Sequence, residues 1–202
     1  MSRGLGDVYK RQQMDGADLE LWEIDAPVNL WKTEDAQKLL KCYNVVDYVT
    51  MPNPGQVWSY IGGWLYQAHL KEIEDNVPEQ LRSYYNSCAL RMSIALSSFG
   101  KDLKNEAGAM PIGAEANADA LGGKTHVIIR ARDMAAYVQK LLGDPDYADG
   151  QDTGYCSPQP GDIIVFAGKG HAGMCPGDNI SIGSFLTGPI WLINRATLKD
   201  AE

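Results

Sequence analysis

The segment from Cys88 to Phe99 constrains this chain more than any other. Apolar or small residues recur at Met92, Ala95, Leu96 and Phe99, and Leu90 and Ile94 fill a neighbouring stripe. That spacing predicts a helix whose apolar surface is too wide for a solvent-facing element, so it belongs in the core. Gly100 supplies a stop. Asn86 or Ser87 can serve as N-cap, which puts Cys88 at the first or second helical position, where backbone N–H groups point outward unpaired.

A cysteine there has a chemical use. The attacking species is the thiolate, and a free thiol is mostly protonated at neutral pH. A helix N-terminus favours negative charge, and an imidazole can take the proton. A histidine of suitable placement follows. Pro158-Gln159-Pro160-Gly161 is a turn, Ile163 to Phe166 a short apolar strand, and His171 to Cys175 its antiparallel neighbour after Gly168 and Gly170. A histidine at a strand start facing a helix N-terminus can reach a thiol there, and the pair suggests a cysteine hydrolase.

At these residues the chain resembles the papain-like peptidoglycan amidases of the NlpC and CHAP type. It is closer still to the type VI secretion amidase effectors of the fourth family. The likeness is carried by Asn86 to Leu96, Arg130 to Gly143, Gly161 to Phe166, the glycine-histidine strand and Ile190 to Asn194, and it runs from about residue 76 to 194. It implies an α+β, papain-like fold with the nucleophile helix packed on a small antiparallel sheet. It also implies hydrolysis of the bond between D-glutamate and meso-diaminopimelate in bacterial peptidoglycan stems, without a cofactor.

Carried over residue by residue, Cys88 matches the nucleophile and His171 the general base, with Asn86, Arg91 and Ser93 flanking the nucleophile and Arg91 in a supporting role. The family places an acidic residue shortly after the histidine strand. Asp178 is the choice here, with Asn179, Ser181 and Asn194 open. An acidic and an aromatic residue commonly continue that strand in the family, whereas this chain has Gly173 and Cys175. The partners implied are bacterial peptidoglycan and an immunity protein. The location implied is outside the producing cell, secreted or delivered to a bacterial periplasm. Another papain-fold hydrolase or acyltransferase, or an inactive wall-binding module, are the alternative readings.

Other features set limits. Cys42, Cys88, Cys156 and Cys175 form no CxxC pair and the three histidines no HExxH arrangement, so no metal site is expected. Cys156 and Cys175 flank the two strands and are candidates for a bridge. His69 and His126 read as ordinary helix and strand residues. A net charge of −8 argues against broad nucleic-acid binding. No apolar run is long enough to span a membrane.

Asp7 to Gln12 resembles the translation of a transposon adaptor used in sequencing libraries. Residues 1–12 are therefore set aside as a scar, and 13–202 are read as one papain-like amidase domain whose natural start lies further upstream.

The remaining chain reads as helices around 33–43 and 132–142, a last strand at Ile190 to Ile193, and a long small-residue loop from Lys101 to Gly123 bordering the site. The aromatic run Trp58, Tyr60, Trp64, Tyr66 is either a packing face or a glycan contact. The segment from Asp144 to Gly154 is an acidic loop without regular calcium-ligand spacing.

Overall fold

The computed structural model describes residues 33–147, 162–176 and 188–193. The proposed scar, most of the acidic loop, Cys156, Asp178, Asn179, Ser181 and Asn194 lie outside the described residues. Among the described residues four of the five α-helices precede the first strand: α1 (Thr33–Asn44), α2 (Pro54–Ile61), α3 (Gly63–Glu74) and α4 (Cys88–Phe99). A two-stranded ribbon follows, β1 (Ala109–Pro111) against β2 (His126–Ile128), then α5 (Ala131–Leu142). The chain then forms β3 (Ile163–Ala167), β4 (Ala172–Pro176) and β5 (Ile190–Ile193), an antiparallel sheet in the order β4-β3-β5. This is an α+β layout with α4 laid on the small antiparallel sheet. Among the described residues no helix is long and apolar enough to cross a membrane.

Helix α4 is central because every residue from Cys88 to Ser97 is buried. Its two sides feed different parts of the core. Cys88, Ala89, Met92, Ala95 and Leu96 pack with Leu39 and Tyr43 of α1, Met134 and Val138 of α5, and Val165, Met174 and Trp191 of the sheet. Leu90 and Ile94 point into a second cluster with Trp58, Ile61 and Leu65 of α2 and α3 and Val127 of β2. Burying a side chain such as Leu90 stabilises the fold by about 1.5–3 kcal/mol. Gly100, at φ +114°, closes the helix by donating to the Leu96 and Ser97 carbonyls.

Strand β3 is buried on both faces, which explains its unbroken apolar run. Ile163, Val165 and Ala167 face the helices, while Ile164 and Phe166 join Tyr147, Cys175, Ile190 and Leu192 behind the sheet. Ala167 pairs with Ala172, so Gly168, Lys169, Gly170 and His171 form the hairpin connection, tightened by Gly168 N–H donating to the His171 carbonyl at 2.8 Å. His171 thus ends a turn one residue before β4, and the expected strand starts one position later.

The span from 101 to 123 is more ordered than the loop expected. It contains β1 and a 3-10 turn, Ala118–Leu121, and packs Ile112, Ala120 and Leu121 into the second cluster beside α2 and α3. Few strong apolar residues are needed because the close approach is made by backbone. A Cβ at Gly63, φ +59°, would lie 2.9 Å from Ala116 Cβ and 3.0 Å from the Ile112 carbonyl. The aromatic run divides as its burial requires. Trp58 is fully buried core, while Trp64 is 41% exposed and donates to the Pro111 carbonyl. His69 lies buried in α3 with Nδ1 2.6 Å from the Tyr84 carbonyl, and His126 opens β2.

Candidate active site

Cys88 is the first residue of α4, and the local sequence sets that start. Asn86 Oδ1 accepts the Cys88 N–H at 3.0 Å, and Ser87 occupies the N-cap position without using its side chain there. Ser87 Oγ instead accepts from Arg91 Nε at 3.1 Å. The two N-cap candidates therefore divide the work, Asn86 capping and Ser87 holding Arg91. One consequence concerns the Cys88 N–H, which the sequence offers as an oxyanion donor. It is engaged by Asn86, and reaches a substrate oxygen only if that side chain swings away.

The sulfur sits in a ring of backbone donors. The backbone N–H groups of Ala172, Ala89 and Cys88 itself lie near enough to favour negative charge on it. The Ala172 contact is decisive for the geometry, because Ala172 opens β4 directly after His171. Helix start and hairpin end are therefore packed against each other, bringing Cys88 and His171 into one neighbourhood 83 positions apart in sequence. Cys88 is a free cysteine. The Cys156 to Cys175 bridge falls partly outside the described residues, as does Asp178.

The electrostatics combine opposed effects. Burial pushes the Cys88 thiol up, while the three N–H groups and the Arg91 guanidinium pull it down, and burial prevails. The His171 imidazole is held below its ordinary value, first by burial and then by Arg91. Both shifts favour the neutral thiol and the neutral imidazole, against the ion pair that the helix N-terminus alone would favour. A macrodipole contributes only about 0.3–1 kcal/mol at an exposed site, whereas desolvating a charged group costs several times that.

His171 is held by rings. Its imidazole stacks on Phe166 of β3, centroids 5.3 Å apart, and meets Tyr48 at 5.9 Å with a 41° tilt. Gly173 belongs to the same construction. A Cβ there would come 2.7 Å from Phe166 Cζ and 2.9 Å from Tyr43 Oη. The small residue that departs from the family pattern is therefore required by the two rings behind it.

Arg91, one turn after Cys88, is fully buried. Its Nη1 donates to the Val46 and Asp47 carbonyls, the latter at 2.8 Å, and its guanidinium carbon lies 4.1 Å from the Tyr48 ring centre. Ser93 Oγ donates to the Ile128 carbonyl and accepts the Ile128 N–H, both at 2.8 Å, stitching α4 to β2. All three flanking residues of the nucleophile motif thus have structural partners. Tyr48 was not found by sequence reasoning. It lies in a turn without periodicity, and the turn-forming pattern Asn44, Asp47, Thr50 was its one local signal.

Among the described residues no group of three or more histidine, cysteine or acidic side chains is placed to hold a metal ion. The constellation suits thiol chemistry: a buried cysteine on a helix start, a histidine one residue before the strand packed against it, and backbone N–H groups near the sulfur.

Comparison with known proteins fits that chemistry. Residues 84–177 match the family Tae4, described as type VI secretion system amidase effector protein 4. The matched stretch contains Cys88 and His171 and ends one residue before Asp178. Among solved structures the chain is similar to the type VI effector Tae4 from Enterobacter cloacae, at 19% identity over 80% of this chain and 95% of that one, with a TM-score of 0.44. It is also similar to the Salmonella typhimurium effector Tae4 in complex with the Enterobacter cloacae immunity Tai4, at 20% identity over 79% and 97%, TM-score 0.45. The Tae4–Tai4 effector–immunity complex from Enterobacter cloacae gives 21% identity over 69% and 79%, TM-score 0.44. No curated protein matches the chain.

Proposed function

We propose that this chain, which over residues 84–177 matches the type VI secretion amidase effectors of the fourth family, is a member of that family and a cysteine amidase that cuts peptidoglycan stems between D-glutamate and meso-diaminopimelate. The observation that carries the chemistry is the Ala172 N–H on the Cys88 sulfur, which sets the residue after His171 against the nucleophile. The bond specificity rests on family membership.

In this reading His171 removes the thiol proton as Cys88 attacks the scissile carbonyl, and the imidazolium then protonates the leaving amine. Water resolves the thioester with His171 again as base. With the Asn86 side chain swung away, the Cys88 N–H becomes a donor for the oxyanion that develops at the helix start. Asp178 is proposed to orient the imidazole, as the third group of such a triad does. Residues 13–202 would form one amidase domain acting in the periplasm of a target bacterium, and its partner in the producing cell would be an immunity protein.

The test is digestion of purified sacculi followed by mass analysis of the soluble fragments. Wild type should release fragments ending in D-glutamate and fragments with a free meso-diaminopimelate amine, and Cys88→Ala and His171→Ala should release none. Equal release by wild type and Cys88→Ala would refute the nucleophile. Cysteine-dependent cleavage at another bond would leave the amidase standing and remove the specificity. Sacculus binding by wild type and Cys88→Ala alike, with no release by either, would identify a wall-binding module instead.

A further inference from the structure

We infer that Tyr48 is a positioning residue for His171, presented to the imidazole on a turn that Arg91 anchors from beneath. The inference rests on the cysteine–histidine reading above and adds a residue that the family motif does not include.

The turn from Asn44 to Met51 is built for rigidity. Asp47 Oδ1 accepts the Val49 and Thr50 N–H groups at 3.0 and 2.7 Å. Thr50 Oγ1 donates to the Asn44 carbonyl at 2.7 Å, and Met51 N–H to the Asp47 carbonyl at 2.9 Å. Val46 is fully buried beneath it. The Val46 and Asp47 carbonyls receive Arg91 Nη1, so a cation from the nucleophile helix fixes a segment more than forty residues earlier. No carboxylate side chain is bonded to this guanidinium among the described residues. Besides Ser87 Oγ, which accepts from its Nε, it faces the Tyr48 ring at 4.1 Å, within cation–π range.

Tyr48 therefore has one side committed to Arg91, and its ring also reaches His171. Among the described residues it is one of two rings on the imidazole, and the other, Phe166, belongs to the histidine's own hairpin. Tyr48 joins the imidazole through side chains to Arg91 of the helix that carries the nucleophile, beside the backbone packing of Ala172 on Cys88. Its phenol is pushed up to about 12, chiefly by burial, so it stays protonated at neutral pH. It remains 42% exposed at the edge of the site.

The experiment compares Tyr48→Ala and Tyr48→Phe with wild type and His171→Ala in three measurements: sacculus hydrolysis, iodoacetamide labelling of Cys88, and thermal stability. Labelling reads thiol deprotonation without substrate. For Tyr48→Ala, kcat and the labelling rate should fall together by about tenfold to a hundredfold, the upper end being the cost of a 1 Å displacement of a catalytic group. KM should change little, and Tyr48→Phe should restore both rates. Labelling at the wild-type rate in Tyr48→Ala would overturn the inference, whether KM rises or not. A loss proportional only to the unfolded fraction, or a loss that phenylalanine fails to restore, would overturn it too. Failure of His171→Ala to affect hydrolysis and labelling would instead refute the catalytic reading itself, so the two failures are distinguishable.

Discussion

Gly173→Ala adds one methyl group at a place where the structure has no room for it. The new Cβ would stand 2.7 Å from Phe166 Cζ and 2.9 Å from Tyr43 Oη. Carbon atoms pack at about 3.5–4.0 Å, so one ring must retreat by roughly 1 Å. Neither has space, because Phe166 is 4% and Tyr43 2% exposed. Overpacking of this kind costs about 1–3 kcal/mol. For a chain of this size that lowers Tm by about 2–12 °C, at roughly 2–4 °C per kcal/mol. The functional effect should exceed the unfolded fraction, since Phe166 backs the His171 imidazole at 5.3 Å. Gly170→Ala is the control: nothing lies within 4 Å of its Cβ, in the same hairpin. Thermal unfolding by circular dichroism and sacculus hydrolysis at 25 °C check both variants. Equal Tm and equal activity for Gly173→Ala and Gly170→Ala would refute the claim that glycine is required behind the base.

Two further substitutions test the frame around the site. Ser93→Ala removes the hydroxyl that both donates to and accepts from Ile128, leaving a buried carbonyl and a buried N–H unpaired; it should cost about 2–4 kcal/mol, seen as a lower urea midpoint at unchanged slope. Asp146 accepts the Leu192 N–H at 2.7 Å and is raised to about 6, mainly by burial. Its folded value lies above the unfolded one, near 3.9, so the folded state binds the extra proton and stability falls as pH rises through 6. The gap corresponds to about 3 kcal/mol between pH 4 and pH 7, and urea titrations of Asp146→Asn should lack that decline.

Much of this architecture was legible because burial writes a direct signature. The helix at Cys88, its stop at Gly100, the helix ending at Gly143 and the strands at 163 and 190 all appear where the apolar spacing puts them. What escaped had no periodic signal. The segment from Lys101 to Gly123 is ordered by backbone approach at Gly63 and by pairing with β2, which a small-residue composition hides. Tyr48 is placed by Arg91, a contact between residues 43 positions apart that no local rule encodes. The protonation balance was also hidden, since sequence reveals the helix N-terminus that lowers a thiol and not the burial that raises it.

That balance bears on how such an enzyme would be switched on. Burial favours neutral thiol and neutral imidazole, and Arg91 lowers both groups, favouring the thiolate and opposing the imidazolium. Proton transfer from Cys88 to His171 creates a thiolate that Arg91 favours and an imidazolium that it opposes. The transfer is therefore helped on the sulfur side and resisted on the nitrogen side. An acidic group on the far ring nitrogen would offset the resistance without touching the nucleophile. An acidic third residue, the role proposed above for Asp178, would supply that offset. Asp178, seven residues after His171, carries the sign of charge that the imidazolium needs, which Asn179, Ser181 and Asn194 do not.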